Sequence, residues 1–295
     1  MGLFFSSDRF TRPGPGVRPD APRKKGVARL AEIMGRDMWS FFRAGFLAFL
    51  GCLPFIIGMF FAVETHALLF MLLAGIIGGL IAGPELSAMA DTVLRSLRDE
   101  PGYWWETYRR VWKRNARESL VPGMLTGLVL SIQIFTLFHM SVISAGIVTW
   151  ALLILSFMVT LGLESYIWPQ IALLDLPLYG ILKNSLLLFL GYLPRSLGAI
   201  AIKAVYWGAI LLFFPLTTII LPFTNFWLPM LPALLCIYQP LNKCFTIEST
   251  INKMREDDLN AALAKDNEPL PEAPAAEAEE TSEEPASDDS SSDAQ

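Results

Sequence analysis

Charge is what this chain has least of. Only 17% of its 295 residues are Asp, Glu, Lys or Arg, against about 25% in a soluble globular domain. Cysteine is nearly absent too: Cys52, Cys236 and Cys244 are odd in number and have no CxxC spacing. That excludes a disulfide framework and a cysteine zinc site, and Cys52 and Cys236 sit in apolar runs where a thiol acts as a small hydrophobe. There are two histidines. No G-x-x-x-x-G-K-[ST] loop is present, so the chain cannot itself drive ATP-dependent transport. Neither a G-x-S-x-G elbow nor an H-E-x-x-H pair occurs, and no catalytic residue, cofactor or enzymatic activity is expected. The first 43 residues are polar and basic and lack the apolar stretch of a signal peptide.

What the chain has in excess is apolar length. Hydrophobic residues make up 53% of it, and its mean hydropathy is +0.45. Residues 44–63, AGFLAFLGCLPFIIGMFFAV, carry no charge, and about twenty apolar helical residues cross a ~30 Å hydrocarbon layer. Six runs read as spans: 44–63, 67–83, 119–138, 142–163, 196–221 and 223–241. The connections at 64–66, 139–141 and Pro222 contain no Lys or Arg. The pieces 1–43, 84–118, 164–195 and 242–255 hold 9, 7, 2 and 3 basic residues. That bias predicts that both termini are cytoplasmic. The predicted fold is therefore all-α: six transmembrane helices within residues 31–250, two cytoplasmic interfacial amphipathic helices, and disordered termini.

The termini differ in sign. Residues 256–295 hold 14 acidic residues against Lys265, a net of −13, leaving 22 basic and 14 acidic residues, net +8, in the rest. The acidic segment is too poor in large apolar residues to offset its ordering entropy and reads as a disordered tail. Residues 1–30 are basic and rich in Pro and Gly.

Residues 108–117, YRRVWKRNAR, carry five positive charges in ten positions. On a helix, Trp105, Tyr108, Trp112 and Ala116 share a face and Arg109, Arg110, Lys113, Arg114 and Arg117 occupy the remainder. Next to a membrane such a helix lies at the headgroups, each cation contributing about 1 kcal/mol against an anionic leaflet. The expected partner is thus the inner leaflet or a docked protein, not nucleic acid. A second short cytoplasmic helix is expected between Pro177 and Pro194.

Four further features invite interpretation. Gly75, Gly79 and Gly83 form a small-residue ridge suited to close helix packing. Lys203 lies inside the fifth span, where a charge must snorkel or pair; Glu164 is its expected ion-pair partner near the inner interface. Gln133 and Asn225 are expected to bond between helices. His66, His139 and Glu64 fall in the outer turns, where they could bind a metal, although polar turn residues need no such explanation. The sixth span, WLPMLPALLCIY and its flanks, is broken by proline yet lined with apolar side chains.

The stretches RPGPGVRPDAPRKK (12–25), LGCLPFIIG (50–58), RDEPGYWWETYRRVWKRNARES (98–119) and LKNSLLLFLGYLPRSL (182–197) make residues 1–250 resemble the YesL family of bacterial integral membrane proteins. The Pro-Gly-rich start is similar to that of its longer, clostridial-type members. The resemblance implies an association with carbohydrate uptake, and it supplies no catalytic residues. Two functions follow as expectations. One is a non-enzymatic accessory or scaffold in the cell membrane, working with a carbohydrate ABC transporter or another membrane protein. The other is a small secondary transporter or channel. Association with further copies of itself is left open.

Overall fold

A computed structural model describes residues 23–100, 102–140, 142 and 146–266. Among them there is no strand. The helices are α1 (Gly26–Thr65), α2 (Leu68–Leu97), α3 (Trp104–Phe138), α4 (Ile147–Leu173), α5 (Leu178–Gly191), α6 (Leu193–Leu212), α7 (Thr217–Thr224), α8 (Trp227–Phe245) and α9 (Ile247–Asp266). Five of them, α1 to α4 and α6, are long and apolar enough to cross a membrane.

The first two helices outrun the hydrophobic signal. α1 starts well before residue 44, and α2 continues from residue 83 to Leu97, with a π-helical turn at Ala74–Gly78 and Pro84 inside it. The expected flat helix around residue 108 is not a separate element. Residues 104–118 are the first turns of α3, which runs on through Pro122 into the apolar stretch. No breaker lies between Arg117 and Ser119, so nothing in the sequence ends one helix and begins another. Pro122 leaves one backbone donor missing, and Thr126 turns its hydroxyl onto the carbonyls of Pro122 (2.8 Å) and Gly123 (3.1 Å).

The expected fifth span is divided. α6 stops at Leu212, and a turn containing Pro215 precedes the short α7. Proline supplies no N–H and restrains the residue before it from the helical region. Asn225 joins the end of α7 to the start of α8: its Oδ1 accepts the Phe226 N–H at 2.6 Å, while Nδ2 donates to the Pro222 carbonyl of α7 at 3.0 Å. α1 makes room for this corner at Gly45, where a Cβ would come within 2.5 Å of Trp227 and 2.7 Å of Asn225. Trp227 is buried and stacks on Phe41. The proline-rich α8 packs Leu231, Leu234, Ile237 and Leu241 inward.

A second unit begins at Ser249. Of it, residues 249–266 are helical, so the first part of the acidic segment is not disordered as expected. Its run of Glu, Leu, Ala and Lys is rich in strong helix formers. Residues 1–22 and 267–295 lie outside the described residues.

Candidate functional site

Three places in the first unit concentrate polar chemistry: the end of the bundle where α1 and α3 start and α2 ends, a cavity between the helices, and the turns at the opposite ends of those helices.

At the first, α2 ends in a turn whose Asp99 has φ 58°, a left-handed conformation that costs a non-glycine residue energy. Three arginines close on it. Arg29 donates to the Asp99 carboxylate at 2.6 Å, Arg23 lies 3.1 Å from it, and Arg36 forms a short contact. The same guanidinium groups take three successive carbonyls, Arg36 that of Ser96 (2.8 Å), Arg29 that of Leu97 (3.1 Å) and Arg23 that of Arg98 (3.1 Å). A helix C-terminus carries unpaired carbonyls and partial negative charge, which cations stabilise. Burial pushes the Asp99 carboxyl up, but hydrogen bonds from Arg36 and Arg29 outweigh it and hold the group below the usual carboxylate range. Arg23 continues to Glu248 at 2.7 Å, which also accepts from Tyr238 at 3.0 Å. Arg29 and Arg36, seven residues apart, fall on one side of α1, and Arg23 reaches the same carboxylate from the non-helical residues before it.

The residues expected to form a membrane-surface face separate into two groups. The buried stripe of α3 is Tyr108, Val111, Asn115 and Ser119, not Trp105, Tyr108, Trp112 and Ala116. Trp105 is 48% exposed. Trp112 turns inward, its Nε1 donating to Glu85 Oε1 at 2.9 Å, while the Tyr108 hydroxyl donates to Glu85 Oε2 at 2.5 Å. Glu85 thereby fastens α2 to α3, a role the sequence did not reveal. Arg114 reaches the end of α4, donating to the Ala172 carbonyl at 2.8 Å. Arg110 pairs with Glu106 at 2.9 Å in the open. Arg109, Lys113 and Arg117 are exposed and have no ion-pair or hydrogen-bond partner among the described residues.

Deeper in, Gly75, Gly79 and Gly83 face α3. A Cβ on Gly75 would lie 2.5 Å from Ser131 Oγ and 2.9 Å from Leu128 Cα. One on Gly79 would fall inside the Gly123 carbonyl, and one on Gly83 inside that of Ser119. Gly123 and Gly127 answer from α3, so the seam is glycine on glycine. Gly78 serves a different neighbour, Phe55 of α1, at 2.6 Å. On the other side of α3, Gln133 Nε2 bridges to α4 through Ser156 (2.6 Å) and Thr160 (2.8 Å).

The cavity opens between the same helices and α6 to α8. It has a volume of about 390 Å³, and aromatic and apolar side chains such as Phe55, Phe157, Trp168, Trp207 and Met230 dominate its lining. Glu164 and Lys203 face into it. They do not make the expected direct ion pair: no carboxylate–ammonium approach within 4.0 Å joins them. Nor does Lys203 snorkel. It is 7% exposed, and its Nζ donates to the Leu161 carbonyl at 3.5 Å. Because α6 runs from Leu193 to Leu212, at ~1.5 Å per residue Lys203 lies about 15 Å from one end and about 14 Å from the other. That is mid-helix.

In the turns after α1 and α3 the two histidines bond each other. His66 Nδ1 and His139 Nε2 are 2.6 Å apart, and His139 Nδ1 lies 2.7 Å from the Phe135 carbonyl. A carbonyl only accepts, so His139 Nδ1 carries the proton, its Nε2 accepts, and His66 Nδ1 donates. Glu64 is exposed and does not join them. Among the described residues no three His, Cys, Asp or Glu side chains gather as metal ligands.

The helix lengths, the glycine seam and the buried charges define a helical, multi-pass membrane protein. No family model, curated protein or solved structure matches the chain.

Proposed function

We propose that this is a six-span protein of the cell membrane with both termini in the cytoplasm, acting as a non-enzymatic accessory or scaffold for a carbohydrate uptake system. α8 supplies the sixth crossing in this reading, its prolines and Lys243 lowering its hydropathy. The observation that carries the role is the rigid presentation of positive charge. Glu85 and Arg114 fix the cytoplasmic turns of α3, leaving Arg109, Lys113 and Arg117 exposed and without a partner among the described residues. A mobile loop would lose more entropy on docking than this prearranged surface. The resemblance to the YesL family supports the carbohydrate connection. The scarcity of hydroxyl and amide groups in the cavity, where Thr126 is the only one, supports a protein that does not itself bind sugar.

Crosslinking in cells followed by mild-detergent purification tests the role. A sugar permease or its solute-binding protein should co-purify, and recovery should fall when Arg109, Lys113 and Arg117 are changed together to Ala. Recovery of the protein alone, or of the same partners from the triple variant, refutes it. A second reading, a small transporter or channel, is favoured specifically by Glu164 and Lys203 at one cavity, and solute flux into proteoliposomes tests it.

A further inference from the structure

Two opposite charges in the middle of a membrane protein ordinarily relieve each other by contact. Glu164 and Lys203 line one cavity without a carboxylate–ammonium approach within 4.0 Å. Glu164 has no hydrogen bond among the described residues, and Lys203 has only the long one to Leu161. The cavity they line has a volume of about 390 Å³, within the roughly 300–1,000 Å³ of small-molecule sites. A purely apolar occupant would strip both charges of water with nothing in return. A cation would serve Glu164 alone, and an anion Lys203 alone. Only an occupant with both signs satisfies the pair, and the aromatic walls require that the rest of it be apolar.

We propose that this cavity binds a zwitterion with an apolar body, its ammonium directed to Glu164 and its carboxylate or phosphate to Lys203. Two sources carry that chemistry: the headgroup of phosphatidylethanolamine, or a free apolar α-amino acid. The site goes beyond the accessory role and does not depend on it. It shares its cavity with the transport reading, but it concerns binding, so an absence of flux leaves it untouched.

The test is native mass spectrometry of the full-length protein in mild detergent, with added phosphatidylethanolamine, phosphatidylglycerol, or phenylalanine. One phosphatidylethanolamine retained in preference to phosphatidylglycerol identifies the lipid source; saturable phenylalanine binding identifies the free solute. In either case Glu164→Gln and Lys203→Met should each weaken binding at least tenfold. Thr126→Trp, which narrows the cavity and keeps both charges, should weaken it as well and stands in if a charge variant fails to fold. Equal retention of phosphatidylglycerol, no binding of either zwitterion, or binding indifferent to these substitutions overturns the proposal.

Discussion

The α2–α3 seam and the cavity beside it are built from the same helices on opposite principles. Along the seam, side chains have been removed until backbone meets backbone, Gly79 against Gly123 and Gly75 against Gly127. Across the cavity, large side chains stand back and enclose a space with two charges on its wall. Association of helices in lipid cannot rely on the hydrophobic effect and depends on packing and interhelical polar contacts. The seam therefore supplies the cohesion that lets the cavity remain open. Stability and binding are assigned to different faces of one bundle.

Adding volume to the seam should break that division most severely. Gly79→Val places side-chain atoms where the Gly123 carbonyl lies, and overpacking costs about 1–3 kcal/mol or more. The purified variant should show a much lower melting temperature in detergent, or no folded peak on size exclusion. Gly208→Ala on α6, with nothing within 4 Å of its added Cβ, is the control and should be neutral or slightly stabilising. A Gly79→Val protein that melts with the wild type would remove the seam from the account.

The cavity should respond in the opposite direction. Lys at the centre of a transmembrane helix costs about 2.5–3.5 kcal/mol on insertion scales, and here Glu164 offsets that without an ion-pair contact within 4.0 Å. The double variant Glu164→Gln, Lys203→Met should melt higher than the wild type while losing the bound zwitterion. A double variant that melts lower would show that the charges hold the bundle together.

Effects of similar or smaller size are expected at the ends of the seam. Glu85→Ala removes two hydrogen bonds to a carboxylate, each class of bond being worth about 1.5–3 kcal/mol. It should free Trp112, seen as increased quenching of tryptophan fluorescence by acrylamide. Asp99 tests the turn after α2 by pH. Its carboxyl is held below its ordinary value, so its contribution is fully present above an unfolded pKa of about 3.9. It is lost as pH falls through the lower folded value. Asp99→Asn should melt lower than wild type at pH 6, and the gap should close on acidification below pH 4. An unchanging gap would disconnect the arginines from that carboxylate. His66→Ala at the outer end should cost the least, about 1 kcal/mol for one hydrogen bond.

Much of this was legible beforehand because lipid imposes simple demands. Apolar runs located the helices, the Gly75, Gly79 and Gly83 spacing exposed a packing face, and Gln133 in an apolar stretch pointed to a partner. The errors share a cause as well. Hydropathy reports where a helix meets lipid, not where its hydrogen bonds begin and end. That is why α1, α2 and α3 extend beyond their apolar runs. Glu85 escaped notice because a carboxylate beside a proline in a basic connection looks like an ordinary surface residue. Its partners lie 23 and 27 residues away, and nothing in local sequence announces them.

The contact between Arg23 and Glu248 carries a consequence for how the protein is made. Synthesis is vectorial, so an arginine that leaves the ribosome early must wait for a glutamate that emerges more than two hundred residues later. During that interval Asp99 can already gather Arg29 and Arg36, closing the first hairpin. The remaining bond forms only once Glu248 has emerged, after α2 to α8 have been synthesised. It thus marks the completion of the first unit, and a cysteine pair placed at positions 23 and 248 would crosslink chains that have reached that point while leaving shorter nascent ones open.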